Sequence, residues 1–330
     1  MNGNLALLDD IGRYIAAGGG RISFAHFMQL ALYHPQLGYY TNGQARIGKE
    51  GDYYTSVSTG PLFGKLLARQ FQQFKADLGS PPEFEVIECG GHRGQLRDDV
   101  LAAAPDLRYR VMEVGHPLPD SIVGCVFSNE LLDALPVHRV CVSGGRWQEI
   151  YVTDGLKEML GPLSSPLLAD SVRDLPAKLM EGYRTEINLR ARSWLENVAR
   201  RLKRGFVLTI DYGYEREEYF APHHRDGTLM CYHQHTRNDN PCINVGEQDI
   251  TAHVEFSSFI EHGKRCGLEP VLFTDQSHYL LRIGEADITE IVERTAGQLS
   301  KERSAIHQLI HPELMGRTFK VLVQKKSEPL

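Results

Sequence analysis

Between Val86 and Leu96 the chain reads VIECGGHRGQL: an apolar run, an acid, three glycines within five residues, and the start of a helix-like pattern. Gly90, Gly91 and Gly94 permit positive φ and let a ligand approach the backbone closely. Glu113 follows Gly90 by 23 residues at the tip of the next apolar segment, where an acid can accept hydrogen bonds from two ribose hydroxyls. The same glycines also suit an ordinary tight turn, so it is the acid at this distance that favours a nucleotide site. A pyrophosphate calls for G-x-G-x-x-G and a free helix N-terminus. Here Glu88 stands two residues before the glycines and would repel a pyrophosphate, but it suits a cationic, amino-bearing nucleoside. That chemistry points to S-adenosylmethionine; the plain alternative is a strand-end acid capping the following helix.

A second polar group lies in SNELLDALPV, where Asn129, Glu130 and Asp133 follow an apolar strand. On their own these carboxylates read as a solvated first helical turn that suits the helix dipole. DITAHVEF holds Asp249, His253 and Glu255. Asp249 reads as a strand end or N-cap, and His253 as a structural histidine or a candidate acceptor-side, proton-accepting group. PHH, YHQH and EHG lack a helix-spaced pair with a third ligand, so no metal site is expected.

The elements that must position these groups alternate in type. Residues 5–34 read as helical with a break at Gly18–Gly20, and 38–60 as a long functional loop. Apolar spacing from Leu62 to Phe74 predicts a helix. Strands are expected at Phe84–Cys89, Arg108–Val114, Cys125 onward (running into a helical turn), Phe206–Gly213, 269–274 and the final TFKVLVQ. A hairpin is expected around Ser143–Gly145. Helices are expected at Glu186–Arg204, with Gly205 at its C′ position, at 257–267 and at 287–308. Alternation of strands and helices predicts a mostly parallel α/β sheet covered on both faces.

Composition narrows the function classes. The chain has 330 residues, 42% of them hydrophobic, and a formal net charge of −6. That is ordinary for a soluble globular protein and argues against a nucleic-acid backbone binder. No run reaches the ~18 apolar residues of a membrane span. The N-terminus has neither a basic n-region nor an Arg-rich transit pattern. The six scattered cysteines contain no CxxC pair, so a reduced, cytoplasmic protein is expected.

With these motifs in hand, the chain resembles the MidA-like family of class I S-adenosylmethionine-dependent methyltransferases. FMQLALYHPQLGYY and GDYYTS resemble its N-terminal signature, ECGGHRGQL its cofactor turn, and Asn129, Glu130, Asp133, Ala134, Pro136 and Val137 its N-E-x-x-D-A-x-P-V. DYGY (Asp211–Tyr214) and GEQDITAHVEF (Gly246–Phe256) match two further signatures. The resemblance implies a protein-arginine methyltransferase with S-adenosyl-L-methionine as cofactor; mitochondrial members of the family assist respiratory complex I assembly. It implies that Gly90 and Gly94 cradle the methionine part, Glu113 the ribose, and Thr55 and Ser56 cover the cofactor. Asn129, Glu130 and Asp133 would bind the acceptor, a protein and, by analogy with the family, a respiratory-complex subunit.

Three departures stand out. His92 replaces the turn's central glycine, VSTG replaces an acidic-proline segment, and only ten residues, Gly115 to Gly124, separate the second strand from CVFSNE. Ten extended residues reach at most about 33–36 Å, enough to return along a strand but not to form a further helix and strand. The expectation is a Rossmann-like methyltransferase sheet with a shortened edge at residues 81–330 and an insertion around 136–185. A helical segment with a cofactor-covering loop occupies residues 1–80. The alternatives are a methyltransferase-fold binding or assembly factor without catalysis and, from another class, an NAD-dependent dehydrogenase.

Overall fold

The computed structural model describes residues 3–43, 55–91, 94–176, 180–298 and 300–327. The chain forms two compact units, each assembled from three stretches: 1–53, 133–193 and 215–254 in one, and 54–132, 194–214 and 255–330 in the other. The units interleave along the chain, unlike the expected division at residue 80. The physical reason is the helix Pro61–Asp77, whose Phe63, Leu67, Phe71 and Phe74 belong to the sheet-bearing unit's core. Among the described residues no helix is long and apolar enough to cross a membrane.

The sheet-bearing unit carries strands β1 (Glu85–Cys89), β2 (Arg108–Met112), β3 (Ile122–Asn129), β4 (Leu202–Tyr214), β5 (Glu269–Asp275) and β6 (Phe319–Lys326). They pair in the order β5-β6-β4-β3-β1-β2. β2, β1, β3 and β4 are mutually parallel, and β6 runs antiparallel to both of its neighbours. Helices α1 (Pro61–Asp77), α2 (Gln95–Ala103), α3 (Phe256–Arg265), α4 (Gln276–Arg294) and α5 (Lys301–Ile310) complete the unit. Phe127, Phe206 and Phe319 point into one core with α1, α2, α4 and α5, and Phe74 stacks on Phe206 at 4.1 Å. Val126 and Val207, which alternate with these strand residues, are also fully buried. Burial on both faces is why these strands read as near-continuous apolar runs.

β2 ends the sheet order, and residues 113–121 contain neither helix nor strand. The shortened edge expected from the ten-residue interval is present. Arg201 holds that connection by donating to the Leu118 carbonyl at 2.9 Å and to Asp120 at 2.6 Å.

Several boundaries differ from the sequence expectation. The helix is Leu189–Arg201, flanked by the strand Arg184–Ile187 and by β4. Gly205 therefore lies within a strand rather than past a helix. Its role is close approach: a Cβ there would sit 1.9 Å from the Gly124 carbonyl oxygen, and one on Gly124 2.0 Å from that of Glu85. The region 287–308 holds parts of two helices, α4 and α5, rather than one.

The other unit contains helices Leu5–Ala17 and Phe24–Tyr33 and two antiparallel sheets. Asn4 and Ser23 cap the helices by accepting backbone N–H bonds. The strand Arg21–Ser23 occupies part of the stretch expected to be helical. His138–Ser143 and Arg146–Thr153 form the expected hairpin, turning at Gly144 and Gly145 with φ of 62° and 68°, as a two-residue turn requires. Met230–His233, Thr236–Asn238 and Asp249–Thr251 form the smaller sheet. Leu7, Phe27, Val137, Val152, Cys231 and Ile250 share this unit's main core.

Candidate active site

The carboxyl ends of β1 and β3 carry the groups singled out by sequence. Gly90 (φ 77°) and Gly94 (φ 73°) adopt the left-handed conformation, and Gly94 starts α2. Gly90 donates to the Met112 carbonyl at 2.8 Å, which fixes the turn to β2. Gly91 is glycine for another reason: a Cβ there would lie 2.6 Å from Glu88 Cδ and 2.7 Å from Val111 Cγ1. The buried Glu88 side chain thus lies against the turn. It accepts from the Tyr109 hydroxyl at 2.9 Å. Burial pushes its carboxyl up to about 7; the Tyr109 hydrogen bond opposes the shift and Glu113 adds to it. Glu113 is exposed just beyond β2, and partial burial raises its pKa against the pull of His116. His92 lies outside the described residues.

At the end of β3 the chain does not enter the expected helical turn. Glu130 takes the left-handed conformation, φ 52°, which costs a non-glycine residue on the order of 1 kcal/mol and persists only where its surroundings impose it. They do so here. Glu130 N–H donates to the Ile210 carbonyl at 2.9 Å. The next two amides, of Leu131 and Leu132, donate to Asp211 Oδ2 at 3.2 and 2.8 Å. Asp211 is wholly buried and also accepts from the Tyr212 amide at 2.9 Å. Gly90 meets the same loop, since a Cβ on it would come within 2.9 Å of Leu131 Cδ1.

The Glu130 side chain is equally constrained. Its Oε1 accepts from Asn129 Nδ2 at 2.9 Å and from the Ser56 amide at 3.2 Å. Asn129 Oδ1 is buried and has no hydrogen-bond partner among the described residues, so it is an acceptor awaiting a donor. Thr55 and Ser56 are both buried, in a segment closed by reciprocal bonds between Thr55 and Ser58. Thr55, Ser56, Asn129 and Glu130 therefore meet at one place. Asp211 and Gln276, which secure that place, were not singled out as site residues; Asp211 at least stands inside the DYGY signature.

Asp133 and His253 lie in the other unit. Asp133 is buried, and its carbonyl accepts from the Ala252 amide at 2.9 Å. His253 N–H donates to Thr228 Oγ1 at 3.1 Å. Burial, then His224 and Arg237, lowers its ring pKa to about 4, so the imidazole is neutral at physiological pH. Asp249, also buried, accepts from the Tyr40 hydroxyl at 2.7 Å and from the Ile250 amide at 2.9 Å. Burial, then Asp249 and Asp133, pushes the Tyr33 phenol far up.

This strand order, with a left-handed glycine turn after the first strand and acids at the ends of the first two, defines a Rossmann-like S-adenosylmethionine-dependent methyltransferase. A family model described as S-adenosyl-L-methionine-dependent methyltransferase matches residues 110–274. A Burkholderia thailandensis protein crystallised with S-adenosyl-homocysteine superposes with a TM-score of 0.87 at 30% identity, covering 97% of this chain and 92% of that one. The protein arginine methyltransferase NDUFAF7 homolog, mitochondrial, of Drosophila melanogaster is 26% identical over 372 residues, covering 92% of this chain and 81% of its own. The human protein of that name is 24% identical over 369 residues, covering 91% and 79%. The chain belongs to the MidA-like family of S-adenosyl-L-methionine-dependent methyltransferases. It is thus an enzyme that uses this cofactor, and the non-catalytic alternative is not favoured.

Proposed function

We propose that the protein methylates an arginine side chain of another protein, by in-line displacement at the methyl carbon. The observation that carries this reading is the Glu130 carboxylate, held at the tip of β3 by Asn129 and the Ser56 amide. A carboxylate fixed in direction suits the N–H donors and positive charge of a guanidinium. The names of the relatives, protein arginine methyltransferases, support the same acceptor.

The residues fit the cofactor. Gly90 and Gly94 open the backbone, Glu113 would accept the ribose hydroxyls, and Thr55 and Ser56 would cover it. Glu88, lying against Gly91, would act through the turn it supports. When bound, S-adenosylmethionine supplies a methyl group on a sulfonium. The attacking nitrogen would form the new N–CH3 bond as the sulfur–methyl bond breaks, and would then release its proton to bulk water. Glu130 orients that nitrogen, and Asn129 Oδ1 offers the buried acceptor for a further N–H. Most of the gain is positioning and electrostatics. Asp133 and His253 are assigned to the acceptor side through their signature matches; the neutral ring keeps a lone pair with which to accept a proton or a hydrogen bond.

The acceptor is read as a respiratory-complex subunit, on the family resemblance alone. A reducing, cytoplasmic compartment is in keeping with the free cysteines. The test is tritiated methyl transfer into a lysate protein, followed by hydrolysis. Label is expected in methylarginine, and Glu130→Gln should lower the rate by about 100-fold while the calorimetric Kd for S-adenosylmethionine stays within about threefold. Label recovered only in other residues would overturn the arginine assignment.

A further inference from the structure

We propose that Gln276 is a positioning residue for methyl transfer, acting through Ser56 to hold the Glu130 carboxylate in place. The inference rests on the reading of Glu130 given above. Gln276 is the first residue of α4 and is wholly buried. Its Nε2 donates to the Leu309 carbonyl at 3.1 Å and its Oε1 accepts from the Ser56 hydroxyl at 3.1 Å. Leu309 decides which way the amide faces, because a carbonyl accepts only from the NH2 end. The oxygen is left toward Ser56, so the serine hydroxyl must donate.

Ser56 is therefore anchored by its side chain while its backbone N–H points at Glu130 Oε1, 3.2 Å away. It does not move alone. Thr55 and Ser58 bond reciprocally, and Thr59 Oγ1 donates to the Ser56 carbonyl at 2.8 Å. Residues 55–59 thus form one block. Gln95 Nε2 reaches the Val57 carbonyl at 3.4 Å, tying the block to the first turn of the helix that follows the glycines. The strained backbone of Glu130 makes this tether matter, since the direction of its side chain is set by the partners that hold it.

A stability role alone accounts poorly for a glutamine here. A buried amide must have both ends paired to avoid a penalty, and Gln276 meets that condition only with Ser56 and the Leu309 carbonyl in this one arrangement. A fully paired buried polar link instead specifies one arrangement of the groups it joins.

Gln276→Met keeps the volume and removes both hydrogen bonds. The expected result is a roughly 10-fold or greater fall in the initial rate of tritiated methyl transfer at saturating S-adenosylmethionine. The Tm should fall by several degrees, because the Ser56 hydroxyl and the Leu309 carbonyl lose a partner, while the variant stays folded at the assay temperature and the cofactor Kd holds within about threefold. Ser56→Ala breaks the same link and carries the test if Gln276→Met does not fold. The double variant should be no slower than the slower single, as expected for two residues on one path. A Gln276→Met enzyme within twofold of wild type, alongside a crippled Glu130→Gln enzyme, would overturn the tether and leave the site reading standing. A fully active Glu130→Gln enzyme would overturn both.

Discussion

Two side chains outside the expected reacting set have consequences that can be measured. Glu88 is a carboxyl whose native pKa, about 7, lies above the ordinary value of 4.5. Between those pH values the folded state holds a proton that the unfolded state has lost. This group's contribution to stability therefore rises as pH falls across the window, and it is lost as pH climbs through 7. The slope is up to about 1.4 kcal/mol per pH unit. Glu88→Gln, which can still accept from Tyr109, should be more stable than wild type at pH 8, with the gap closing toward pH 5. Parallel urea titrations would show it, and a gap independent of pH would refute the assignment. Asp211→Ala strands three backbone amides and should cost about 2–4 kcal/mol in the same titrations. The glycines and Glu113 could be singled out from local spacing, and Glu130 from the N-E-x-x-D-A-x-P-V signature. Asp211 and Gln276 were not, because their partners stand 79 and 220 positions away in the chain.

Among the elements, the sequence marked the order of strands well and their limits less well. β1, α1, α3 and β6 fall close to where apolar periodicity places them. The stretch Glu186–Arg204 does not, because Gly205 looks like a helix stop when only its neighbours are considered. Its actual constraint is the passage of three backbones side by side at Glu85, Gly124 and Gly205. A methyl group on either glycine would overlap a carbonyl oxygen of the adjacent strand. Gly124→Ala and Gly205→Ala should each cost at least about 3 kcal/mol or abolish soluble expression. An alanine variant with an unchanged Tm would show that the strands can part without penalty. The turn after β3 was misread for a similar reason. An N-E-L-L-D run suits a helix locally, yet Asp211 captures its first two free amides and the left-handed Glu130 turns the chain away.

At the level of the whole chain, cofactor binding should register as stability. S-adenosylmethionine at about 100 times its Kd adds roughly 2.7 kcal/mol to the folded state, a rise of several degrees in Tm, whereas NAD at the same concentration should add none. A shift produced by NAD instead would contradict the family assignment. The sheet itself carries a further consequence. Beyond Arg108–Met112 no described strand continues the ladder, so one row of backbone donors and acceptors ends in the open. Such a border invites other chains to add themselves to it, and charged side chains along it discourage them. Arg108 and Arg110 stand exposed on that strand, and Arg110 is steadied by Glu85 at 3.1 Å. Replacing both arginines with valine should make the protein scatter light increasingly with concentration, where the unaltered chain stays clear. With no strand described beyond it, that border is expected to owe its resistance to self-association to two guanidinium groups.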